Sequence, residues 1–453
     1  MLIAPDSVFR AYDIRGIVDK DFDADWVELL GKACGTFFQD KGFDSAVIGH
    51  DCRASSPVYQ ERLMQGLLST GTDVVRLDMV PSPVFYYAVK KLNRKAGVVI
   101  TASHNPAPYN GFKIWAGEST IHTDDIAEIR SILDSRDFAV GSGVASAHDI
   151  RPSYLDELAS QFSLKKPVKV VLDAGNGAGG PLGVELLRRM GAEVVPLYCE
   201  PDGAFPNHHP DPVIDRYMDD LKARVVAEKA DVGIGLDGDA DRIGIIDEQG
   251  VMVYGDKVLA LFARDVLAAN PGATVIGEVK CSHLMYRDIE DHGGVPLMWM
   301  AGHSMIKAKM RETGALLAGE VSGHFFFADR YYGFDDALYG AARFVELLAK
   351  QDKPVSGLLN DWPGTVNTPE IRVDCPEEKK FEIAEKAQQV FSKQYETYTV
   401  DGVRIMFPDG WALLRASNTQ PALVLRFEAM TAARRDEIRR EVEAALASIR
   451  AAV

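Results

Sequence analysis

Strands and amphipathic helices alternate along most of this chain, and this alternation limits the possible folds more than any other feature. Apolar residues at helical spacing predict helices at residues 25–40, 57–68, 83–92 and 124–133. Short β-rich runs lie between these helices, at residues 45–49, 73–77 and 97–101. The same order recurs from residue 168 and again from residue 256. Such alternation predicts mostly parallel sheets with helices on both faces.

The region after residue 364 has a different pattern. Several short strands surround one helix at residues 380–392, and a helix rich in Arg, Glu and Ala covers residues 432–449. The sequence therefore predicts an α/β protein with three similar mixed α/β domains and a smaller C-terminal α+β domain. We place the domains at residues 1–151, 152–254, 255–364 and 365–453.

Composition excludes several classes of partner. The 453-residue chain carries a formal net charge of −16, which repels the phosphate backbone of a nucleic acid. No apolar run approaches the ~20 residues needed to span a bilayer, and residues 1–9 lack the pattern of a signal peptide. Five widely spaced cysteines without a C-x-x-C pair argue against a disulfide framework or structural zinc. We expect a cytoplasmic protein without nucleic-acid or membrane partners.

A serine turn, Thr-Ala-Ser-His-Asn-Pro at residues 101–106, directly follows a β-rich run. Pro106 prevents the strand ladder from continuing, so the Ser103 hydroxyl lies at a strand end. That hydroxyl could act as a nucleophile or carry a phosphoester, because uncatalysed hydrolysis of phosphate monoesters is extremely slow. A Ser/Asn turn that hydrogen-bonds its own backbone explains the same residues. From spacing alone, this second interpretation is favoured.

Three aspartates at alternating positions, Asp237, Asp239 and Asp241, follow another β-rich run. A hard divalent cation relieves their mutual repulsion, and Mg²⁺ is the usual choice where phosphate oxygens complete the coordination shell. An EF-hand calcium loop begins in the same way and would use Glu248 as its twelfth residue. However, Arg242 stands where that loop requires Gly, and the flanks are strand-like. Three surface acids on a turn remain the other alternative.

Two further turns offer polar groups. The first, residues 319–324, places Glu320, Ser322 and His324 between glycines, where their side chains match sugar hydroxyls. The second, residues 415–421, combines an Arg, two hydroxyls and an amide, which suit an anion. A polar turn and an exposed hairpin loop explain these residues equally well. Cations recur beside turns of this kind, at Arg10, Arg15, Arg53, Lys113, Arg242, Lys280 and Arg415.

Together these motifs resemble the α-D-phosphohexomutase family, and most closely its bacterial phosphomannomutase/phosphoglucomutase branch. The resemblance covers the whole chain in order. Its motifs lie at residues 9–16, 101–106, 109–113, 173–177, 202–207, 237–242, 319–324 and 415–419. It implies four domains around a central cleft, which carry in turn a phosphoserine loop, a metal-binding loop, a sugar-recognition loop and a phosphate-binding loop.

The resemblance also implies roles for individual residues. Ser103 would be the phosphoserine and would bind one Mg²⁺ together with Asp237, Asp239 and Asp241. Substrate contacts are implied for Tyr12, Arg15, Lys280, His303, Glu320, Ser322, His324, Arg415, Ser417, Asn418 and Thr419. Proton transfer or charge stabilisation is implied for Lys113, His104, Arg242 and His324. The general base stays open among these residues, because Lys113 would need a lowered pKa.

The implied activity is reversible phosphoryl transfer between the 1- and 6-positions of mannose or glucose phosphates. It would proceed through a bound 1,6-bisphosphate, with glucose 1,6-bisphosphate as activator. A phosphoglucosamine mutase is an alternative, but those relatives typically carry Gln in the sugar loop, where this chain has Val321. A metal-dependent sugar phosphatase and a non-catalytic phosphosugar- or calcium-binding protein also stay open. The expected partners are small hexose phosphates, and we expect a monomer, with a dimer as the alternative.

Overall fold

The computed structural model describes residues 4–417 and 421–453. The chain divides into two compact units. The first unit comprises the residues up to Val258 together with Ser322–Gly357, and the second comprises Leu259–Val321 and Leu358–Val453. Within the described ranges, no helix combines the length and the apolar character needed to cross a bilayer.

The first unit begins with a mixed sheet and its helices. The strands are β1 (Ile14–Ile17), β2 (Ser45–His50), β3 (Asp73–Met79), β4 (Ala96–Ile100), β5 (Tyr109–Ala116), β6 (Ser119–Thr120) and β7 (Ala145–Ala147). The helices are α1 (Ala24–Asp40), α2 (Ser56–Ser69), α3 (Ser82–Lys91) and α4 (Asp124–Ser135). The sheet order is β1-β5-β4-β2-β3-β7, with β6 beside β5.

The pairing in this sheet brings two predicted site residues near each other. Strands β4, β2 and β3 are parallel, as the alternation predicts, and β2 and β4 are buried along their whole length. Strand β5 runs antiparallel to β4, with Val99 opposite Lys113. Ser103 follows the end of β4, so the serine turn and Lys113 lie at the same edge of the sheet.

A second sheet in the first unit carries the three aspartates, in residues 237–242, which we call the acidic loop. Its elements are α5 (Arg151–Ser160), β8 (Lys169–Asp173), α6 (Gly180–Arg189), β9 (Glu193–Leu197), α7 (Asp219–Glu228), β10 (Val232–Leu236), β11 (Ile243–Ile246) and β12 (Met252–Val253). The sheet order is β12-β11-β10-β8-β9. Strands β10 and β11 are antiparallel, with Leu236 opposite Ile243. The acidic loop therefore connects two strands, which excludes the helix-flanked EF-hand alternative.

The next elements continue the alternation. They are α8 (Gly255–Ala269), β13 (Thr274–Glu278), α9 (His283–Asp291), β14 (Val295–Trp299), α10 (His303–Thr313), β15 (Leu317–Gly319), β16 (Phe325–Phe327) and α11 (Ala337–Ala349). In the second unit, β14 and β15 both pair in parallel with β13. In the first unit, Asp336 caps α11 by accepting a hydrogen bond from the Tyr339 N–H.

The C-terminal part of the second unit is an antiparallel sheet with two helices. It contains β17 (Val366–Asn367), β18 (Ile371–Asp374), α12 (Lys380–Phe391), β19 (Glu396–Tyr398), β20 (Val403–Phe407), β21 (Gly410–Ala416), β22 (Ala422–Ala429) and α13 (Ala432–Ala451). The smaller α+β pattern is thus present. The strand predicted at residues 399–406 begins only at Val403, because Gly402 has a φ of 70° and belongs to the preceding turn.

Candidate active site

Ser103 lies in a strained turn and directs its hydroxyl away from its own backbone. Its φ of 49° is unusual for a residue other than glycine. The turn expected from the sequence exists, because the Ser103 N–H donates to Thr101 Oγ1 at 2.9 Å. The hydroxyl, however, donates to Asp237 Oδ2 at 2.6 Å and lies 3.0 Å from His104 Nδ1. The structure therefore places the serine against the acidic loop.

The acidic loop is ordered by its own first aspartate. Asp237 Oδ1 accepts hydrogen bonds from the backbone N–H groups of Asp241 and Arg242, at 3.0 and 3.1 Å. Gly238 permits the close approach of the serine turn, because a Cβ atom there would lie 2.5 Å from the Ser103 carbonyl oxygen. The two motifs, more than a hundred residues apart in sequence, are therefore in direct contact.

The three aspartates, Lys113 and Ser103 form one buried group, which we call the serine–aspartate cluster. One carboxylate oxygen from each of Asp237, Asp239 and Asp241 lies within 4.8 Å of the others. The Lys113 ammonium contacts Asp239 Oδ2 at 2.6 Å and also contacts Asp241 Oδ2. Asp239 Oδ1 and Asp241 Oδ1 are buried and accept no hydrogen bond from any described residue. Such oxygens fit a hard divalent cation.

Burial and neighbouring charges shift the pKa values of the cluster members in different directions. Burial, followed by the charges of Asp241 and Asp239, raises the pKa of Asp237 well above its usual range. Burial would also raise the pKa of Asp241, but the charges of Lys113 and His324 hold it well below that range. Burial would lower the pKa of Lys113, yet the two facing aspartates raise it well above its ordinary value. This direction is opposite to the one a lysine base needs.

His324 joins the sugar-loop motif to the acidic loop within the first unit. Its Nδ1 lies 3.0 Å from Ser322 Oγ, and its Nε2 lies 3.5 Å from Asp241 Oδ1. The Arg242 Nε–H group is directed at the same Nε2, at 3.4 Å. The Gly323 carbonyl accepts a hydrogen bond from the Ile243 N–H at 3.0 Å, which holds this turn against β11. The structure thus brings Ser322, His324 and Arg242 together around Asp241.

Two other predicted residues lie close to the serine turn. The Arg15 guanidinium donates to Asn105 Oδ1 at 2.9 Å and pairs with Asp13 at 2.6 Å. Burial, with the neighbouring charges of Arg242 and Arg15, holds the pKa of His104 well below its ordinary value. His104 is therefore a neutral imidazole beside the Ser103 hydroxyl. Tyr12 is half-buried in the segment before β1.

In the second unit, predicted recognition residues gather near the carboxyl end of β13. Glu320 Oε1 accepts a hydrogen bond from the Gly302 N–H at 2.8 Å, immediately before His303 begins α10. The Lys280 ammonium lies 3.7 Å from Glu278 Oε1 and 3.8 Å from Glu370 Oε2. Burial would lower the pKa of Lys280, but these acids raise it. Lys280 is therefore a fixed positive charge.

The predicted anion-binding turn is described only in part. Arg415 Nε lies 2.9 Å from Asp401 Oδ2, which also accepts a hydrogen bond from the Ala301 N–H at 3.1 Å. The Ser417 N–H donates to the Ala422 carbonyl at 2.9 Å. Asn418 and Thr419, the other two residues assigned to this turn, lie outside the described residues.

Several polar neighbours of these residues were not assigned from the sequence. Ser82 Oγ donates to Asp239 Oδ2 at 2.5 Å. Asp335, which is fully buried, forms with Asp241 and His324 a second group whose ligand atoms lie within 4.8 Å of one another. Glu278 lies beside Lys280, and Asp401 pairs with Arg415. The sequence contains a signal for Asp335, because two adjacent acids directly after an aromatic segment are unusual. It contains no signal for Ser82, which is a single serine at the start of a helix.

Comparison with protein families matches four domain models along the chain. Three are described as phosphoglucomutase/phosphomannomutase alpha/beta/alpha domains I, II and III, at residues 6–140, 152–250 and 254–365. The fourth is the corresponding C-terminal domain, at residues 370–445. These matches confirm the predicted fold class of three α/β domains followed by a different fourth. The exact domain boundaries stay predictions.

Curated and solved proteins resemble the chain over almost its whole length. A phosphomannomutase/phosphoglucomutase from Pseudomonas aeruginosa is 45% identical over 428 residues, which cover 94% of this chain and 92% of that protein. A phosphoglucomutase from Neisseria meningitidis is 42% identical, with 97% of each chain covered. The crystal structure of a phosphoglucomutase/phosphomannomutase family protein from Burkholderia thailandensis superimposes with a TM-score of 0.94 at 40% identity, covering 99% of this chain and 98% of that one.

Proposed function

The chain belongs to the phosphoglucomutase/phosphomannomutase family of hexose phosphate mutases, and from that premise we propose that Ser103 carries the phosphoryl group. The observation that supports this role is the 2.6 Å hydrogen bond from Ser103 Oγ to Asp237 Oδ2. It places a hydroxyl at a buried group of three aspartates, where a phosphoryl group and a cation could share oxygens.

The proposed reaction has two symmetrical transfers. The phosphoserine first loses its phosphoryl group to the free hydroxyl of a bound hexose monophosphate. The P–O bond to Ser103 breaks, the bond to the sugar forms, the sugar hydroxyl proton passes to a base, and the released Ser103 oxygen takes up a proton. The resulting 1,6-bisphosphate turns round within the site. Its other phosphoryl group then returns to Ser103, which leaves the isomeric monophosphate. Positioning and fixed charges supply most of the acceleration.

Asp237, Asp239 and Asp241 would hold Mg²⁺. The fit is supported by the two buried carboxylate oxygens that accept no hydrogen bond from any described residue. It is also supported by the all-oxygen donor set, which hard cations prefer. When bound, Mg²⁺ neutralises negative charge on the oxygens of the transferring phosphoryl group.

The chain's own cations would carry out the remaining charge stabilisation. Lys113, protonated between Asp239 and Asp241, would balance the acids and attract phosphoryl oxygens. Arg242, whose Nε–H is directed at His324 Nε2, would act in the same way. Since the pKa of Lys113 is raised, we assign it to charge stabilisation rather than proton removal. We assign proton removal to His324 in its neutral form, with its Nε2 3.5 Å from Asp241 Oδ1.

The second unit would recognise the substrate. Glu320 and His303 of this unit are assigned to contacts with sugar hydroxyls, the role that Ser322 has in the first unit. Lys280, Arg415 and Ser417, with Asn418 and Thr419, would hold the phosphate that is not reacting. What supports this assignment is that Lys280 and Arg415 are each held by a fixed acid. The sugar would bind in two orientations in each cycle, so the site would recognise hydroxyls that are equivalent in both. Such recognition tolerates epimers at C2, and we therefore propose activity on both glucose and mannose phosphates.

A coupled assay with glucose 1-phosphate and mannose 1-phosphate tests the proposal. We expect turnover of both substrates after activation by glucose 1,6-bisphosphate, and a loss of at least about 1,000-fold in Ser103→Ala. Ser160→Ala is the matched control, because it removes the hydroxyl of an exposed serine on α5 of the same unit, where Ser160 Oγ donates to the Glu157 carbonyl at 2.8 Å.

Other outcomes of this assay would contradict the proposal. Release of inorganic phosphate in place of the isomer would identify a phosphatase. Conversion of glucosamine 1-phosphate alone would identify a phosphoglucosamine mutase. Ser103→Ala with full activity would remove the phosphoserine from the reaction altogether.

A further inference from the structure

A single buried guanidinium holds the backbone of the serine turn. The Arg53 side chain is 1% exposed and donates four hydrogen bonds to main-chain carbonyl groups. Its Nη2 donates to the carbonyls of Ser103 and Asn105, at 2.8 and 2.6 Å. Its Nη1 donates to those of Pro106 and Tyr109, at 2.8 and 2.9 Å. Four carbonyl dipoles therefore converge on one positive charge.

The Asp51 carboxylate fixes the orientation of this guanidinium. Asp51 Oδ2 lies 3.2 Å from Arg53 Nε. The other oxygen of Asp51 accepts hydrogen bonds from the Arg53 N–H at 2.9 Å and from Ser56 Oγ at 2.7 Å. Asp51 is itself 1% exposed. The charge of Arg53 is thus compensated by Asp51, and its two terminal nitrogens donate to the carbonyl groups of residues 103–109.

A second segment covers the same guanidinium. The Phe205 ring lies 5.1 Å from Arg53 Cζ, within the range of a cation–π contact. Gly203 lies against the Arg53 backbone, where a Cβ atom would be 2.6 Å from Arg53 Cα and 2.5 Å from the Cys52 carbonyl oxygen. Gly203 and Phe205, from a motif at residues 202–207 to which no role was assigned from the sequence, therefore pack against Arg53.

We propose that Arg53 is a positioning residue for phosphoryl transfer, which it serves by holding Ser103 in its left-handed conformation. The inference rests on the proposed role of Ser103. Without the guanidinium, the converging carbonyls would repel one another, and the strained Ser103 (φ 49°) could relax. Only the planar fork of arginine presents donors to four acceptors at once, because a lysine ammonium is a single nitrogen with three protons.

The first part of the test compares Arg53→Lys with Arg343→Lys. Arg343 is a matched control, since it is 2% exposed, pairs with Asp329 at 2.7 Å and stacks on Phe327 in the same unit. Amide hydrogen exchange is followed by mass spectrometry in both variants. In Arg53→Lys we expect exchange to rise about tenfold or more in the peptide covering residues 101–109, with little change elsewhere.

The second part measures phosphoryl transfer. The rate at which Ser103 gains a phosphoryl group from glucose 1,6-bisphosphate is followed by intact mass. We expect this rate and kcat to fall about 100-fold in Arg53→Lys while KM for the hexose phosphate changes little, because only the acceptor is misplaced. Arg343→Lys should retain the transfer rate of the wild type.

Either of two results would overturn the inference. The first is transfer at the wild-type rate in Arg53→Lys. The second is a rise in exchange that spreads through the first unit as widely in Arg53→Lys as in Arg343→Lys. If the wild-type chain gains no phosphoryl group at Ser103, the proposed function fails instead, and the exchange comparison still decides whether Arg53 holds the turn.

Discussion

The serine–aspartate cluster of the first unit and the cation sites of the second unit, Lys280 and Arg415, use charge in opposite ways. In the cluster, three buried carboxylates face one ammonium group, and two of their oxygens accept no hydrogen bond from any described residue. In the second unit, the acids instead surround the cations: Lys280 lies between Glu278 and Glu370, and Arg415 pairs with Asp401. The difference separates a cluster that we propose for a cation from cations that acids hold in place, which we propose for an anionic ligand.

This contrast predicts different kinetic consequences for the two regions. A change in the cluster should act on the chemical step, because its groups lie against the hydroxyl of Ser103. A change at the cation sites should act on substrate affinity, because phosphate binding is common to the ground state and the transition state.

The largest effect is expected for Asp237→Asn. The amide removes one charge from the cluster and replaces the carboxylate that accepts the Ser103 hydroxyl. We expect kcat to fall about 1,000-fold, with weaker Mg²⁺ binding in calorimetry. Asp247→Asn is the control, because this buried aspartate caps the turn after β11 through one oxygen that an amide can replace. A loss of activity shared by both variants would break the comparison.

A pH dependence of stability should come from Asp336, a buried acid that lies outside the cluster. Burial is the main cause that raises its pKa from 3.8 to about 6, against hydrogen bonds from the Tyr339 N–H and from the hydroxyls of Tyr331 and Tyr154. The folded chain therefore binds this proton more tightly than the unfolded chain. Between about pH 4 and pH 6, unfolding should become easier as pH rises, by about 3 kcal/mol in total.

Denaturant unfolding at several pH values measures this contribution. Asp336→Asn should remove the slope assigned to this group, whatever its effect on absolute stability. A slope identical in the variant and the wild type would show that the buried carboxyl does not titrate in this window. Loss of the slope in Asp336→Asn would sharpen the comparison, because it would show that an acid outside the cluster contributes to the pH dependence of stability.

The smallest effect is expected for Arg415→Met. Loss of one charged hydrogen-bonding partner should raise KM for hexose phosphates about 30-fold and leave kcat within a few-fold. Arg439→Met is the control in the same unit, because Arg439 forms only an exposed pair with Glu443 on α13. Equal losses in kcat and kcat/KM for Arg415→Met would place Arg415 in the chemical step and remove the distinction between the regions.

Contiguous motifs were the part of the site that the sequence could predict. Asp237, Asp239 and Asp241 share one loop, and Ser103 follows a clear strand, so their residue types and their place at strand ends were visible together. Strand β5 was not predicted, although it carries Lys113. The raised pKa of Lys113 could not be predicted either, because the two aspartates that raise it come from a different sheet.

Residues that act through the backbone or through single contacts could not be predicted. Arg53 was noted as one cation among several, but its partners are carbonyl groups, which every residue possesses. Ser82 and Asp401 belong to no motif in the sequence, and their roles follow from the residues that they contact in the folded chain. Residue type and spacing contain no signal for such contacts.

Peptide mapping of the phosphorylated protein tests the central claim most directly. The chain is treated with glucose 1,6-bisphosphate and Mg²⁺, digested, and the phosphoryl group is located by mass spectrometry before and after addition of glucose 1-phosphate. The account predicts one phosphoryl group, on Ser103, that is lost to the added sugar. A phosphoryl group on another residue, or one on Ser103 that the sugar cannot remove, would contradict it.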